Sequence, residues 1–177
     1  MEADKTIKLT GLEKAIEESW GNGKVPFFYD TQGSASVFFS YKARLCELHK
    51  HQIGRITGAK TLEEIKEDVR LSFYYAMKNG ENLVLFMDKL NFDFDEIFDE
   101  EYLPKEIFEP TEIVKEEVYK KVVREEEDVD SFGNKGLFEM RDTFKVAVLS
   151  TRNPEDEENA EIAEKFPSDK FDFIKIE

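Results

Sequence analysis

Several residue groupings in the chain have the types and spacing for chemistry. The first is DVDSFGNKGLFE over 128–139, where Asp128, Asp130, Asn134 and Glu139 stand at positions one, three, seven and twelve of a calcium-loop pattern. Gly133 fills the sixth position, where such a loop turns sharply. Phe132 stands at position five, where an oxygen ligand is needed, and Lys135 at position eight, where an apolar residue belongs. Calcium takes about six to eight oxygens, so an acidic turn is the better account and Asp128, Asp130 and Glu139 are a weak metal set. The second is His49 with His51, two apart, which a helix would aim at different faces. No Cys or third His joins them at zinc spacing. The third is Ser34 with Ser36 on a tight turn before a helix, the place of a nucleophile elbow; the G-x-S-x-G pattern is absent. Helix capping explains a serine there without further assumption.

These groups need elements to position them. The 177 residues carry 40% hydrophobic residues and 16 Phe, enough for one ordinary domain with a packed core over 1–177. KVPFFYD (24–30), NLVLFMD (82–88) and FKVAVLS (144–150) are short apolar runs of the kind buried on both faces of a parallel sheet. The segment TIKLTGLEKAIEESWGNG opens with a short strand, and FDFIKIE (171–177) closes the chain as another. Thr10 with Glu13 and Thr61 with Glu64 have capping-box spacing. The second box starts a helix whose stripe is Leu62, Ile65, Val69, Phe73 and Ala76, stopped by Gly80. VFFSYKARLCELHKHQ reads as one helix with Phe38, Tyr41, Leu45 and Leu48 on one face. IGRIT (53–57) reads as a short strand, ENAEIAEKF (158–166) as a short helix, and the stretch from Thr111 as an amphipathic helix. The expected architecture is α/β, three-layered, with a mostly parallel sheet.

The formal charge of −15 disfavours nucleic acid and anionic membrane surfaces, since phosphates would be repelled. No apolar run approaches the roughly 18 residues that span a bilayer. MEADKTIKL reads as neither a secretory signal nor a transit peptide, and the single Cys46 fits a reducing, cytoplasmic setting. The segment DKLNFDFDEIFDEEY interleaves acids with Phe92, Phe94, Phe98 and Tyr102. Core packing is the leading account of these rings. The alternative is a protein-binding surface of aromatic anchors rimmed by acids, with Ile113 and Val118 of the following helix offering a comparable face.

The order VPFFYD, a Gly-containing turn, a helix, LVLFMD, and later VAVLSTRNPED resembles the core of a P-loop NTPase of the AAA type. The resemblance implies that Asp88 ends a Walker B strand and that Asn153 or Thr151 lies near a γ-phosphate. It also implies that Gly33 and Ser34 lie on the phosphate turn. The departures are specific. A working turn reads G-x-x-x-x-G-K-[ST], whereas here Phe28 replaces the first Gly, Ser34 the Lys and Ala35 the hydroxyl residue. Asp30 adds a negative charge, and Lys89 stands where many such proteins carry a catalytic Glu. The resemblance with these losses implies a core without a lid, no cofactor and no hydrolysis. The same arrangement is similar to degenerate P-loop domains of ciliary IQ-motif and ankyrin-repeat proteins, which implies a protein-binding scaffold of the axoneme. A nucleotide-binding switch using Gly33, Ser34, Asp88 and Asn153 is the alternative, and a Ca²⁺-responsive module the third.

Overall fold

The computed structural model describes residues 3–156 and 164–177. β1 (Lys5–Ile7) leads through a 3₁₀ turn to α1 (Leu12–Gly21). β2 (Val25–Tyr29), α2 (Ser34–Lys42), β3 (Arg44–Glu47), α3 (Leu48–Ile56), α4 (Leu62–Asn79) and β4 (Asn82–Asp88) follow. After β4 come 3₁₀ turns and two single-turn helices, α5 (Pro110–Ile113) and α6 (Glu116–Tyr119), and then β5 (Lys145–Ser150) and β6 (Phe171–Ile176). The six strands form one sheet in the order β1-β6-β2-β5-β4-β3, and every pairing is parallel.

Alternation along the strands divides the core in two. Phe27, Tyr29, Leu83, Leu85 and Val148 face a layer built from α4 and the aromatic chain after β4. Phe28, Val84, Phe86, Ala147 and Leu149 face α1 and α2. Both faces are covered, as the all-apolar strands require, and the architecture is a three-layer α/β fold on an all-parallel sheet, as expected. The indole of Trp20 on α1 donates to the Val146 carbonyl at 2.9 Å, which ties that layer to β5.

α4 begins and ends where its sequence signals stand. Thr61 accepts from the Glu64 amide at 3.2 Å while Glu64 accepts from the Thr61 amide at 2.8 Å. Gly80 closes the helix at φ +68°, where its backbone also lies against Thr143 and Arg141.

Four local expectations are overturned. The helix read through VFFSYKARLCELHKHQ is interrupted by β3, whose residues pair from Arg44 against Leu83 to Glu47 against Phe86. Tyr41 is 85% exposed, so the supposed face does not exist. The run 53–57 is the end of α3 and the turn after it, not a strand. Thr10 lies inside the 3₁₀ turn, and α1 is capped by Gly11 with no side-chain bond, so the Thr10–Glu13 box does not form. The long helix from Thr111 is broken at Lys115, which is extended (φ −77°, ψ 135°), and again at Val123. Here a buried side chain overrides helix propensity: Arg70 of α4 donates to the Val122 carbonyl at 2.8 Å and to Glu127 at 2.7 Å, holding the chain in a bend. Most of the helix expected over 158–166 lies outside the described residues.

Candidate functional site

In open parallel sheets, ligands bind in crevices outside the carboxyl ends of the strands. β2, β5 and β4 are neighbours in that order, and Ser150 at the end of β5 is in register with both Tyr29 and Asp88. Their ends therefore bring Asp30, the Ser150–Asn153 turn and Asp88 to one edge.

The turn after β2 is closed by its own acid. Asp30 is only 1% exposed. Its Oδ2 accepts from the Ala35 amide at 2.6 Å and its Oδ1 from the Gln32 amide at 3.1 Å. The Asp30 amide donates to the Ser150 carbonyl at 2.8 Å, which fixes the turn to the sheet. Gly33 takes φ +76° at the N-cap, the left-handed conformation that lets the chain double back into α2. The first amides of a helix attract anions through their unpaired N–H groups and the helix dipole. In this turn the anion is a carboxylate of the chain itself. Ser34 is exposed and makes no cap, and Ser36 donates its hydroxyl to the Gly33 carbonyl at 3.0 Å. The capping that the sequence suggested for a serine is therefore performed by Asp30. The signal for it was an acid four residues before the first helical residue.

Asp88 is likewise committed. Its backbone has φ +54°, which is uncommon for a residue with a Cβ, at a register shift between β4 and β5. Its Oδ1 accepts from the Thr151 hydroxyl at 2.7 Å, and its carbonyl accepts from the Thr151 amide at 3.0 Å. Asn153 turns the chain by accepting from the Glu155 amide at 3.2 Å through its Oδ1. Arg152 donates through Nε to the Lys89 carbonyl at 2.6 Å. Burial pushes the Tyr29 hydroxyl up to about 12, against the opposing effect of the Arg152 charge. The turn 30–35 itself carries no basic residue.

The other sequence candidates lie elsewhere. Asp130 Oδ1 accepts from the amides of Phe132 (2.8 Å) and Asn134 (2.9 Å), and Asp128 Oδ1 accepts from Phe138 (2.9 Å). These bonds to Asn134 and the backbone hold the Asp130 carboxyl below its usual range. Asp128, Asp130 and Glu139 do not converge: among the described residues, no group of three or more His, Cys, Asp or Glu could hold a metal ion. His49 packs edge-on to Phe86, while His51 lies beside Lys60 and Asp68. Phe94, Ile113 and Val118 are buried, so these three face the core rather than a partner. Phe94 sits in a ring cluster with Phe92, Phe98, Phe108 and Phe166, at centroid distances from 4.9 to 6.2 Å. Phe98 and Tyr102 are half-buried, and the Arg124 guanidinium covers the Tyr102 ring at 4.5 Å.

No family model, no curated protein and no solved structure matches this chain. No helix among the described residues is long and apolar enough to cross a membrane.

Proposed function

We propose that this chain is a non-catalytic scaffold: a rigid P-loop-like body that binds other proteins and neither holds nor hydrolyses nucleotide. The observation that carries this reading is the Asp30 carboxylate, seated on the Ala35 and Gln32 amides at the start of α2. A nucleotide phosphate would have to displace a buried anion that already satisfies those amides. Approaching it instead is costly, since like charges about 4 Å apart repel by roughly 4 kcal/mol at an effective dielectric near 20. No lysine in the turn offsets this, and Thr151 already takes up a carboxylate oxygen of Asp88.

The acidic charge supports protein partners over nucleic acid. The likeness to ciliary proteins makes the axoneme the assembly where such a body would serve, in the cytoplasm. The test is thermal unfolding with and without millimolar ATP or GTP and Mg²⁺. A ligand at 100 times its dissociation constant would stabilise the fold by about 2.7 kcal/mol. No shift is expected. A Mg²⁺-dependent rise of several degrees overturns the scaffold reading in favour of a nucleotide switch.

A further inference from the structure

We propose that Phe132 is a pre-formed docking knob for a basic protein surface containing an apolar pocket. This rests on the scaffold reading and names the kind of partner it takes. Phe132 is 90% exposed, the most exposed of the large hydrophobic residues among those described, and Leu137, five residues on, is 57% exposed. Single exposed apolar residues are ordinary on protein surfaces. This one is held out on a turn with little freedom to fold it back. Asp130 binds the amides on both sides of Gly133, and the Asn134 side chain donates to Asp130 Oδ2 at 2.8 Å. At the base, Val129 and Lys135 form an antiparallel bridge, and Lys120 donates to the Gly136 carbonyl at 2.9 Å. Phe138, one turn beyond, is buried against Tyr74 and Tyr119 at centroid distances of 5.5 and 6.2 Å, which roots the loop in the core. A backbone fixed this way needs little further ordering on binding, and aromatic anchors carry much of the energy of protein interfaces.

The surroundings select the partner's charge. Residues 125–139 contain six carboxylates against one lysine. Glu127 is spent on Arg70 and Asp128 lies beside Lys120, while Glu125, Glu126 and Glu139 are exposed. A second copy of this chain, with net charge −15, would be repelled by such a rim. A surface that surrounds an apolar pocket with Lys and Arg is complementary to it in both shape and sign.

The experiment measures binding of labelled peptides to the full chain by fluorescence anisotropy. The probes are an amphipathic peptide of Leu and Lys, the same peptide with Glu for Lys, and a Ser and Lys peptide of equal charge without apolar residues. The Leu/Lys peptide is expected to bind at least about tenfold tighter than the Ser/Lys peptide, with binding weakened by salt. Phe132→Ala is expected to remove that tenfold advantage while leaving the melting temperature unchanged. Equal binding of the Leu/Lys peptide by the native chain and Phe132→Ala, or preference for the Glu peptide, overturns the proposal. So does self-association by sedimentation that Phe132→Ala abolishes, which would make a second copy the occupant. The scaffold reading fails separately, by a nucleotide-dependent melting shift that does not depend on Phe132.

Discussion

Two turns of this molecule use the same device to opposite ends. After β2, Asp30 gathers the amides of Gln32 and Ala35 around a buried carboxylate and closes the carboxyl edge of the sheet. In the 128–137 loop, Asp130 gathers the amides of Phe132 and Asn134 around a solvent-facing carboxylate and holds an aromatic ring outward. Local bonding is similar, an aspartate accepting from amides two, four or five residues ahead. The difference is what lies behind each turn. Asp30 backs onto β5 through the Ser150 carbonyl, so its turn is part of the core. The Asp130 turn stands off the core and is rooted only at its base.

The comparison predicts unequal responses to removing each acid. Asp30→Ala should show the larger effect, because it leaves the buried Ala35 amide at the helix start and the half-buried Gln32 amide of the turn without their acceptor. The expected loss is about 2 kcal/mol, seen as a fall of some 4–8 °C in melting temperature. Asp30→Asn retains an acceptor and should recover part of it. Added formate should restore stability to Asp30→Ala and not to the native chain. If Asp30→Ala melts at the native temperature, the closed-turn account is wrong.

A third carboxylate lock lies between these extremes. Hydrogen bonding to Arg70, aided by Arg124, holds Glu67 down to about 2. A carboxyl depressed in the folded state contributes stability that is present above its unfolded pKa near 4.3. That contribution is lost as pH falls through the folded value, so the window is roughly pH 4.5 to 2. Glu67→Gln should therefore flatten the acid limb of the stability profile over that range while changing little above pH 6 beyond a constant offset. An unchanged acid limb would assign the acid sensitivity to other groups.

The smallest effect belongs to the displayed loop. Asp130→Ala should leave the melting temperature nearly unchanged but speed amide hydrogen exchange at Phe132 and Asn134, with no change in α4. Protection at those amides that survives the substitution would mean the loop is held by something other than the Asp130 carboxylate.

The element α4 shows how much of the fold was legible. Its capping box, apolar stripe and terminal glycine are all local, and the structure places each where the sequence does. β2, β4 and β5 were legible for a related reason: a strand buried on both faces must be apolar throughout. β3 was hidden because RLCE is short and its two apolar residues, Leu45 and Cys46, are adjacent and show no alternation. It is a strand only because the edge of β4 offers it unpaired backbone groups. The break at Val123 was hidden for a like reason, since Arg70, which binds the Val122 carbonyl there, is 52 residues away in sequence. At the candidate site, the lack of a lysine in the 30–35 turn and the presence of Asp30 were legible. That Asp30 occupies the helix start itself was not, because proximity of a carboxylate to amides is a matter of backbone path.

The sequence alone specified the layered α/β class, α4 and the apolar interiors of β2, β4, β5 and β6, since apolar period and capping residues act within a few positions. It determined the acidic surface as well. The tertiary structure decided the strand order, the inward facing of Phe94, Ile113 and Val118, the closing of the first turn and the outward placing of Phe132. Each of these depends on which distant segment lies against the residue, and that is fixed only when burial and hydrogen bonding are satisfied across the whole chain at once.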